Sequence, residues 1–136
     1  MRNRLLIVDD ELHARKHMAL MLENTPYDIY EAANGLEALE VLKREPIDVL
    51  ITDIRMPKMD GIELIRQTLI DYPHVASIVL SNFAEFDLAQ QAMRYGAREY
   101  LLKAALTKEE LMLGIEKAMK ANTYQAHRLL DRNEQI

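Results

Sequence analysis

The stretch DVLITDIRMPKMDG, residues 48–61, decides the fold of this chain. Its opening run DVLIT, at 48–52, is nearly continuous in apolar residues, which is typical of a central parallel strand covered by helices on both faces. The run ends at Asp53, and the stretch from Arg55 to Gly61 that follows carries the Pro and Asp-Gly signals of a turn. The sequence therefore predicts a buried strand that delivers a carboxylate to the loop at its carboxyl end.

Four further short apolar runs lie on either side of this strand. They are LLIV at 5–8, YDIY at 27–30, SIVL at 77–80 and EYLL at 99–102. The stretches between the runs have helical periodicity, and one face of the last predicted helix carries Leu111, Ile115 and Ala118. Thr107 and Glu110 have the spacing of a capping box at the start of that helix. Strand–helix alternation repeated five times predicts an α/β fold, a parallel sheet with helices on both faces.

Length and composition restrict the class of protein. With 136 residues, 49% of them hydrophobic and 29% charged, the chain is large enough for one globular domain and too short for two. A formal net charge of −5 argues against direct contact with a nucleic acid backbone, which requires a basic face. The absence of cysteine excludes disulfides and thiol chemistry. Since no apolar run resembles a signal peptide or a membrane span, we expect a cytoplasmic domain without membrane contact.

Polar or charged residues stand at the ends of four of the five predicted strands. They are Asp9 and Asp10 after the first, Asp53 after the third, Ser81 after the fourth and Lys103 after the fifth. In open parallel sheets the reactive site lies beyond the carboxyl ends of the strands. We therefore expect these five residues to meet at one edge of the sheet.

These residue types suit phosphoryl chemistry assisted by a metal ion. Carboxylates that converge repel each other unless a cation lies between them, and hard oxygen ligands favour Mg²⁺, which also accepts phosphate oxygens. Asp53, at the end of the most central strand, is the expected nucleophile and would form an acyl phosphate. Lys103 offers a positive charge, and Ser81 a hydroxyl donor, to the oxygens of the phosphoryl group.

Four segments of the chain resemble the response-regulator receiver domains of two-component signalling. The segments are VDDE at 8–11, TDIRMPKMDG at 52–61, LSNF at 80–83 and GAREYLLK at 96–103. Their order and their places at predicted strand ends make the resemblance specific, and it extends over about residues 3–120. It implies a flavodoxin/CheY-like doubly wound (βα)5 fold, with five parallel strands in the order 2-1-3-4-5. Residues 81–103 are also similar to receivers of AraC-type, YesN-like transcriptional regulators.

The resemblance also implies roles for residues at matching positions. Asp53 matches the phosphoacceptor of the family. Asp9 and Asp10 match the acidic pair that binds Mg²⁺. Asp53 itself and the backbone carbonyl of Arg55 match the other protein ligands of that metal ion.

Three further positions match the family residues that respond to the phosphoryl group. They are Ser81 for the hydroxyl residue that turns toward it, Tyr100 for the aromatic residue that swings inward, and Lys103 for the lysine. The family usually has proline after this lysine, commonly with a cis bond, whereas this chain has Ala104. Because a non-proline cis bond costs about 3 kcal/mol, it stays open whether this bond is cis and whether Lys103 is aimed as in the family.

The implied function is that of a two-component phosphoacceptor. A sensor histidine kinase would transfer a phosphoryl group to Asp53 with the help of Mg²⁺, and the domain would switch a partner or a DNA-binding output domain. Residues 1–121 are the expected receiver, and residues 122–136 the expected helical extension and linker to an AraC-type output domain outside this chain. A possible homodimer would use the face of the fourth helix, fifth strand and fifth helix. No catalysis is expected beyond the domain's own phosphorylation and dephosphorylation.

Alternative interpretations of the same residues stay open. The missing proline after Lys103 is compatible with a degenerate receiver that acts as a phosphorylation-independent protein-interaction module. Any single acid at a strand end also fits a helix N-cap, and Tyr100 fits a half-buried strand residue. A phosphatase of the haloacid-dehalogenase type is disfavoured, because it would need a second acid where this chain has Arg55. His13 and His17 are expected to be surface residues.

Overall fold

The computed structural model describes residues 2–134, with side chains described for residues 2–123. The strands are β1 (Asn3–Val8), β2 (Tyr27–Ala32), β3 (Val49–Asp53), β4 (Ala76–Ser81) and β5 (Glu99–Leu102). The helices are α1 (Leu12–Met21), α2 (Gly35–Arg44), α3 (Gly61–Asp71), α4 (Phe86–Arg94) and α5 (Lys108–Glu134). All strand pairs are parallel and the order across the sheet is β2-β1-β3-β4-β5, which confirms the predicted fold class.

The core lies on both faces of the sheet. Successive side chains of a strand point to opposite faces. Along β1, Leu5 and Ile7 therefore pack toward α1 and α5. Leu6 and Val8 pack toward α2 and α3, on the other face. All four side chains are fully buried, which explains why the strands read as continuous apolar runs.

Side-chain caps fix the starts of three helices. The side chains of Asn34 and Asp60 each accept a backbone amide in the first turn, of α2 and of α3 respectively. At the start of α5 the Thr107 hydroxyl accepts the amide of Glu110 at 3.1 Å and donates to its carboxylate at 3.2 Å, so the Thr107 arm of the predicted capping box is present. The loops that precede these helices are thereby held in defined positions.

The longest element is α5, whose 27 residues continue beyond residue 121. Asn122, on this helix, accepts a hydrogen bond from Nε of Arg98 at 3.1 Å and donates one to the carbonyl of His74 at 2.9 Å. These contacts attach the middle of the helix to two loops at the amino edge of the sheet. Residues 135–136 of the predicted linker lie outside the described residues. Among residues 2–134, no helix is both long enough and apolar enough to cross a membrane.

Candidate functional site

The carboxyl edge of the sheet carries an acidic cluster with a lysine. One carboxylate oxygen from each of Asp9, Asp10 and Asp53 lies within 4.8 Å of the others. The Nζ atom of Lys103 is 2.7 Å from Oδ2 of Asp9 and 3.2 Å from Oδ2 of Asp53. The backbone amide of Lys103 donates to the carbonyl of Ser81 at 2.8 Å, so the loop after β5 begins against the end of β4. The fold thus brings these predicted residues together.

Asp9 is held on several sides and fully buried. Its amide donates to the carbonyl of Ala32 at 3.2 Å, and its Oδ1 accepts the amide of Glu11 at 2.9 Å. Its buried Oδ2 receives no hydrogen bond of ordinary geometry, although the Lys103 ammonium lies close to it. A buried carboxylate oxygen with free lone pairs is an atom to which a cation can bind.

The three acids are not helix N-caps, although each one alone was compatible with that role. The N-cap of α1 is Glu11 and that of α3 is Asp60. Asp9 is buried, Asp53 is partly buried and Asp10 is exposed, so the cluster opens toward solvent on one side. Hard oxygen donors with an open side suit a divalent cation that keeps several waters, and the cluster is therefore able to hold such an ion.

The loop after β3 lies close against the strand end. The amide of Gly61 donates to the carbonyl of Ile54 at 2.7 Å. A Cβ atom at residue 61 would lie 2.1 Å from the carbonyl oxygen of Asp53, so only glycine fits without a shift of the backbone. Arg55, whose carbonyl is a predicted metal ligand, lies within this loop, and its side chain is exposed.

The charges of the cluster affect one another. Burial raises the pKa of the Asp53 carboxyl; the positive charge of Lys103 opposes this shift, and the negative charge of Asp9 adds to it. Burial alone would lower the pKa of Lys103, but the contacts with Asp9 and Asp53 outweigh it and the pKa is raised. The pKa values of Asp53 and Lys103 are both raised because two carboxylates share the single ammonium of Lys103. The cluster therefore has more negative than positive charge, as a cation site requires.

The residues predicted to respond to phosphorylation have contrasting environments. Ser81 is buried at the end of β4, one residue past Leu80, which pairs with Asp53 across the sheet. Tyr100 on β5 is 42% exposed and faces α4, an environment that fits both a half-buried strand residue and a side chain able to swing inward. Its ring lines a groove of about 210 Å³ together with Phe86, Ala89, Gln90 and Met93.

The turn after β5 shows whether the peptide bond between Lys103 and Ala104 is cis. The bond between Lys103 and Ala104 is trans, since residues 2–134 contain no cis peptide bond. The following Ala105 has a φ of 57°, in the left-handed region. With this turn Lys103 still reaches both Asp9 and Asp53.

Two contacts near the cluster escaped the sequence analysis. Glu85 is buried, its Oε1 accepts the amide of Asn82 at 3.1 Å, and its Oε2 lies 3.2 Å from Nε of Arg55. This ion pair joins the loop after β3 to the loop after β4. The Asn82–Glu85 spacing is a capping-box signal visible in the sequence. The second contact, between Arg15 and the backbone of Asp9, has no such local signal.

A parallel sheet in the order 2-1-3-4-5, with an acidic cluster and a lysine at its carboxyl edge, defines a CheY-like α/β domain. The chain belongs to the response regulator receiver domain family, whose model matches residues 5–116. The resemblance seen in the sequence is thereby confirmed.

Similar proteins are known from bacteria. The chain is 42% identical to the uncharacterized transcriptional regulatory protein YesN of Bacillus subtilis (strain 168) over 103 residues, which are 74% of this chain and 28% of YesN. It is 30% identical to sporulation initiation phosphotransferase F of the same strain, over 76% of this chain and 83% of that protein. A crystal structure of a response regulator receiver domain protein from Clostridium thermocellum matches with a TM-score of 0.82 and 30% identity, over 90% of this chain and 98% of that one. The chain thus spans little more than a quarter of the length of YesN.

Proposed function

We propose that this receiver domain accepts a phosphoryl group on Asp53 from a sensor histidine kinase, in a reaction that depends on Mg²⁺. The observation that carries the proposal is the 3.2 Å distance from Asp53 Oδ2 to Lys103 Nζ, inside a cluster that also contains Asp9 and Asp10. A carboxylate oxygen of Asp53 attacks phosphorus and forms an O–P bond while the P–N bond to the kinase histidine breaks. The histidine nitrogen leaves with the bonding electron pair and takes up a proton from solvent.

The acidic cluster has the ligands that this reaction needs. We assign the carboxylates of Asp9, Asp10 and Asp53 and the backbone carbonyl of Arg55 to Mg²⁺. When bound, Mg²⁺ supplies the positive charge that lets three carboxylates and an incoming phosphoryl group occupy one site. The buried Oδ2 of Asp9, which has no hydrogen bond of ordinary geometry, supports this assignment.

Two further side chains are assigned to the phosphoryl group. Lys103 carries a point charge that can move from Asp53 to a phosphoryl oxygen, because its flexible stem places the ammonium between two carboxylates. The hydroxyl of Ser81, at the end of the adjacent strand, donates to another phosphoryl oxygen. Positioning and charge neutralisation by these groups supply the catalysis, and the domain acts on no substrate beyond its own aspartate.

We further propose that phosphorylation changes the surface of α4, β5 and α5. Movement of Ser81 toward the phosphoryl group would draw Tyr100 from its exposed position and reshape the groove that it lines with α4. This face would then form a homodimer or release an output domain. The name of the uncharacterized transcriptional regulatory protein YesN, to which 74% of this chain aligns, supports an output that regulates transcription, and the sequence resemblance implies that this output is an AraC-type DNA-binding domain. Residues 122–136 would connect to it, in the cytoplasm.

The main alternative is a degenerate receiver that binds partners without phosphorylation. Its basis was the absence of proline after Lys103. The contacts of Lys103 with Asp9 and Asp53 favour the phosphoacceptor over this alternative, because the lysine reaches the cluster through a trans turn.

The proposal is tested by the mass of the intact protein after incubation with acetyl phosphate, with Mg²⁺ and with a chelator. We expect one phosphoryl adduct that needs Mg²⁺ and is absent from Asp53→Asn. Asp71→Asn, which changes an exposed carboxylate at the end of α3, is the matched control and should be labelled like the wild type.

Each other outcome has a distinct meaning. An adduct that persists in Asp53→Asn would assign phosphorylation to a different residue. Absence of an adduct from the wild type, with acetyl phosphate and with phosphorylated kinase alike, would favour the degenerate receiver.

A further inference from the structure

Arg15 joins the acidic cluster to the edge strand of the sheet. Its side chain projects from α1 and is only 13% exposed. Nη1 donates to the backbone carbonyl of Asp9 at 2.7 Å, and Nε lies 3.0 Å from Oε1 of Glu31 on β2. The other oxygen of Glu31, Oε2, pairs with Lys16 at 2.9 Å. A single guanidinium thus links α1, β2 and the residue that follows β1.

The carbonyl that Arg15 binds belongs to the peptide group between Asp9 and Asp10. A peptide group is planar, so fixing the orientation of this carbonyl also fixes the orientation of the amide of Asp10. The amide of Asp9 is already bound to Ala32, and its Oδ1 to the amide of Glu11. With the carbonyl bound as well, the backbone of Asp9 has little freedom left. The same contact thereby fixes the peptide plane from which the chain continues to the exposed Asp10.

An arginine suits this task better than a lysine would. Its planar guanidinium has donors at fixed angles, so it can bind a carbonyl and a carboxylate in different directions at the same time. Glu31 holds one side of the plane and thereby aims the other at Asp9. The ammonium of a lysine is a compact charge on a flexible stem and does not fix the angle between two acceptors.

We propose that Arg15, held by Glu31, is a positioning residue that orients the Asp9–Asp10 peptide group so that both carboxylates face one cation. The inference rests on the proposed function, because it takes Mg²⁺ as that cation. Arg15 itself touches neither the metal nor the phosphoryl group in this assignment; it acts through the backbone of Asp9.

If Arg15 has this positioning role, its removal should change the affinity for Mg²⁺ in the direction opposite to the change that the loss of its charge alone would cause. If Arg15 mattered only as a positive charge near the cluster, its removal would make the site more negative and strengthen Mg²⁺ binding. If it positions the acids, its removal weakens Mg²⁺ binding in spite of the added negative potential. A role in folding alone would lower the melting temperature and leave the affinity for Mg²⁺ unchanged.

The test is isothermal titration of the metal-free protein with MgCl₂ at constant ionic strength. Arg15→Met should weaken Mg²⁺ binding roughly tenfold, the lower end of the range for residues that orient metal ligands. Lys16→Met is the matched control, since Lys16 lies next to Arg15, is 57% exposed and pairs with the same Glu31. It removes an equal charge without a contact to Asp9, and should bind Mg²⁺ as tightly as the wild type or slightly more tightly.

Two further variants keep the test decisive. Glu31→Gln keeps an oxygen that can accept from Nε but loses the charge of the ion pair, so it should weaken Mg²⁺ binding, and less than Arg15→Met does. Arg15→Lys retains the charge and should still bind Mg²⁺ more weakly, and it carries the test if circular dichroism shows that Arg15→Met does not fold.

Wild-type affinity in both Arg15 variants, or an equal loss in Lys16→Met, would overturn the positioning role alone. A wild-type protein that does not bind Mg²⁺ would overturn the metal assignment of the proposed function as well.

Discussion

The two sides of the carboxyl edge differ in how firmly the structure holds them. The metal side, formed by Asp9, Asp10 and Asp53, is held by buried backbone hydrogen bonds and by a shared lysine. On the proposed switch side, formed by Ser81 and Tyr100, the hydroxyl is buried but the ring of Tyr100 is 42% exposed. A side chain that has to change place is best left unpacked, whereas charges that share a cation need a fixed geometry. The fold therefore separates the two requirements between the ends of β1 and β3 on one side and those of β4 and β5 on the other.

The largest effect should come from damage to the metal side. Asp9→Asn replaces the buried carboxylate and should weaken Mg²⁺ binding by roughly 100-fold, about 2.8 kcal/mol, because it removes one of three charges from the cluster. The measurement is titration of the metal-free protein with MgCl₂. Asp28→Asn, which changes an exposed carboxylate of β2 paired with Arg2, should leave the affinity unchanged. Equal affinity in Asp9→Asn and the wild type would show that Asp9 is not a ligand.

A smaller but still large effect is expected at Gly61. The Cβ of Gly61→Ala would lie 2.1 Å from the carbonyl oxygen of Asp53, and backbone atoms must move to make room. We expect a loss of about 1–3 kcal/mol in the free energy of unfolding, and slower phosphorylation, because the end of β3 is displaced. Urea unfolding and the mass assay measure the two effects.

Gly114→Ala is the matched control for this substitution. Its Cβ would meet the end of the Leu101 side chain at 3.0 Å, a flexible neighbour that can turn aside. Alanine is also the better helix former, so this variant should be neutral or slightly more stable. If both glycine variants lost the same stability, the close approach at Asp53 would have no special role.

The sequence predicted those parts of this architecture that depend on local pattern. The three central strands, β1, β3 and β4, appear as apolar runs because buried parallel strands have little room for polar side chains. The acids and Lys103 were found because the carboxyl ends of parallel strands meet at one edge. The strand order did not follow from the runs and came from the family resemblance. Pairing β1 with both β2 and β3 depends on contacts between distant residues, which local periodicity does not encode.

The parts that escaped prediction are contacts between single charged residues on different elements. Arg15 and Glu31 lie 16 residues apart, and no sequence motif contains both of them. The same is true of Arg55 and Glu85, although half of the Glu85 contacts had a capping-box spacing. The sequence analysis left the direction of the Lys103 side chain open, because that direction depends on the conformation of the turn after β5.

Removal of the Asp53 charge should stabilise the metal-free domain moderately. The folded protein raises the pKa of Asp53, through burial first and the charge of Asp9 in addition, against the opposing effect of Lys103. The folded state therefore binds the proton more tightly than the unfolded state, and the ionised carboxylate destabilises it. This cost is absent below the unfolded pKa of about 3.9, grows as pH rises through the folded pKa, and is complete above it.

Asp53→Asn should accordingly melt above the wild type at pH 7. The difference should shrink as pH falls toward 4 and as Mg²⁺ is added, since the wild-type cluster, with its third carboxylate, gains more from the cation than the variant does. Thermal melts over a pH series, with and without MgCl₂, measure it. A variant that melts below the wild type at neutral pH would mean that the Lys103–Asp53 attraction outweighs the cost of burial.

The smallest effect on stability is expected on the switch side. Tyr100→Ala removes a ring that is 42% exposed from the edge strand, and should change the free energy of unfolding by about 1 kcal/mol or less. Phosphorylation by acetyl phosphate should proceed as in the wild type, whereas any dimer that forms on phosphorylation should be lost. Sedimentation of the phosphorylated protein measures that loss.

Tyr95→Ala is the control, because Tyr95 is 44% exposed at the end of α4 and stacks on Arg66, away from β5. It should keep both phosphorylation and the change of assembly. If Tyr100→Ala instead unfolded the domain or blocked phosphorylation, the switch side would be as firmly built as the metal side. The contrast between a firmly held metal side and a loosely packed switch side would then be wrong, because the Tyr100 ring would be needed both for phosphorylation and for the change of assembly.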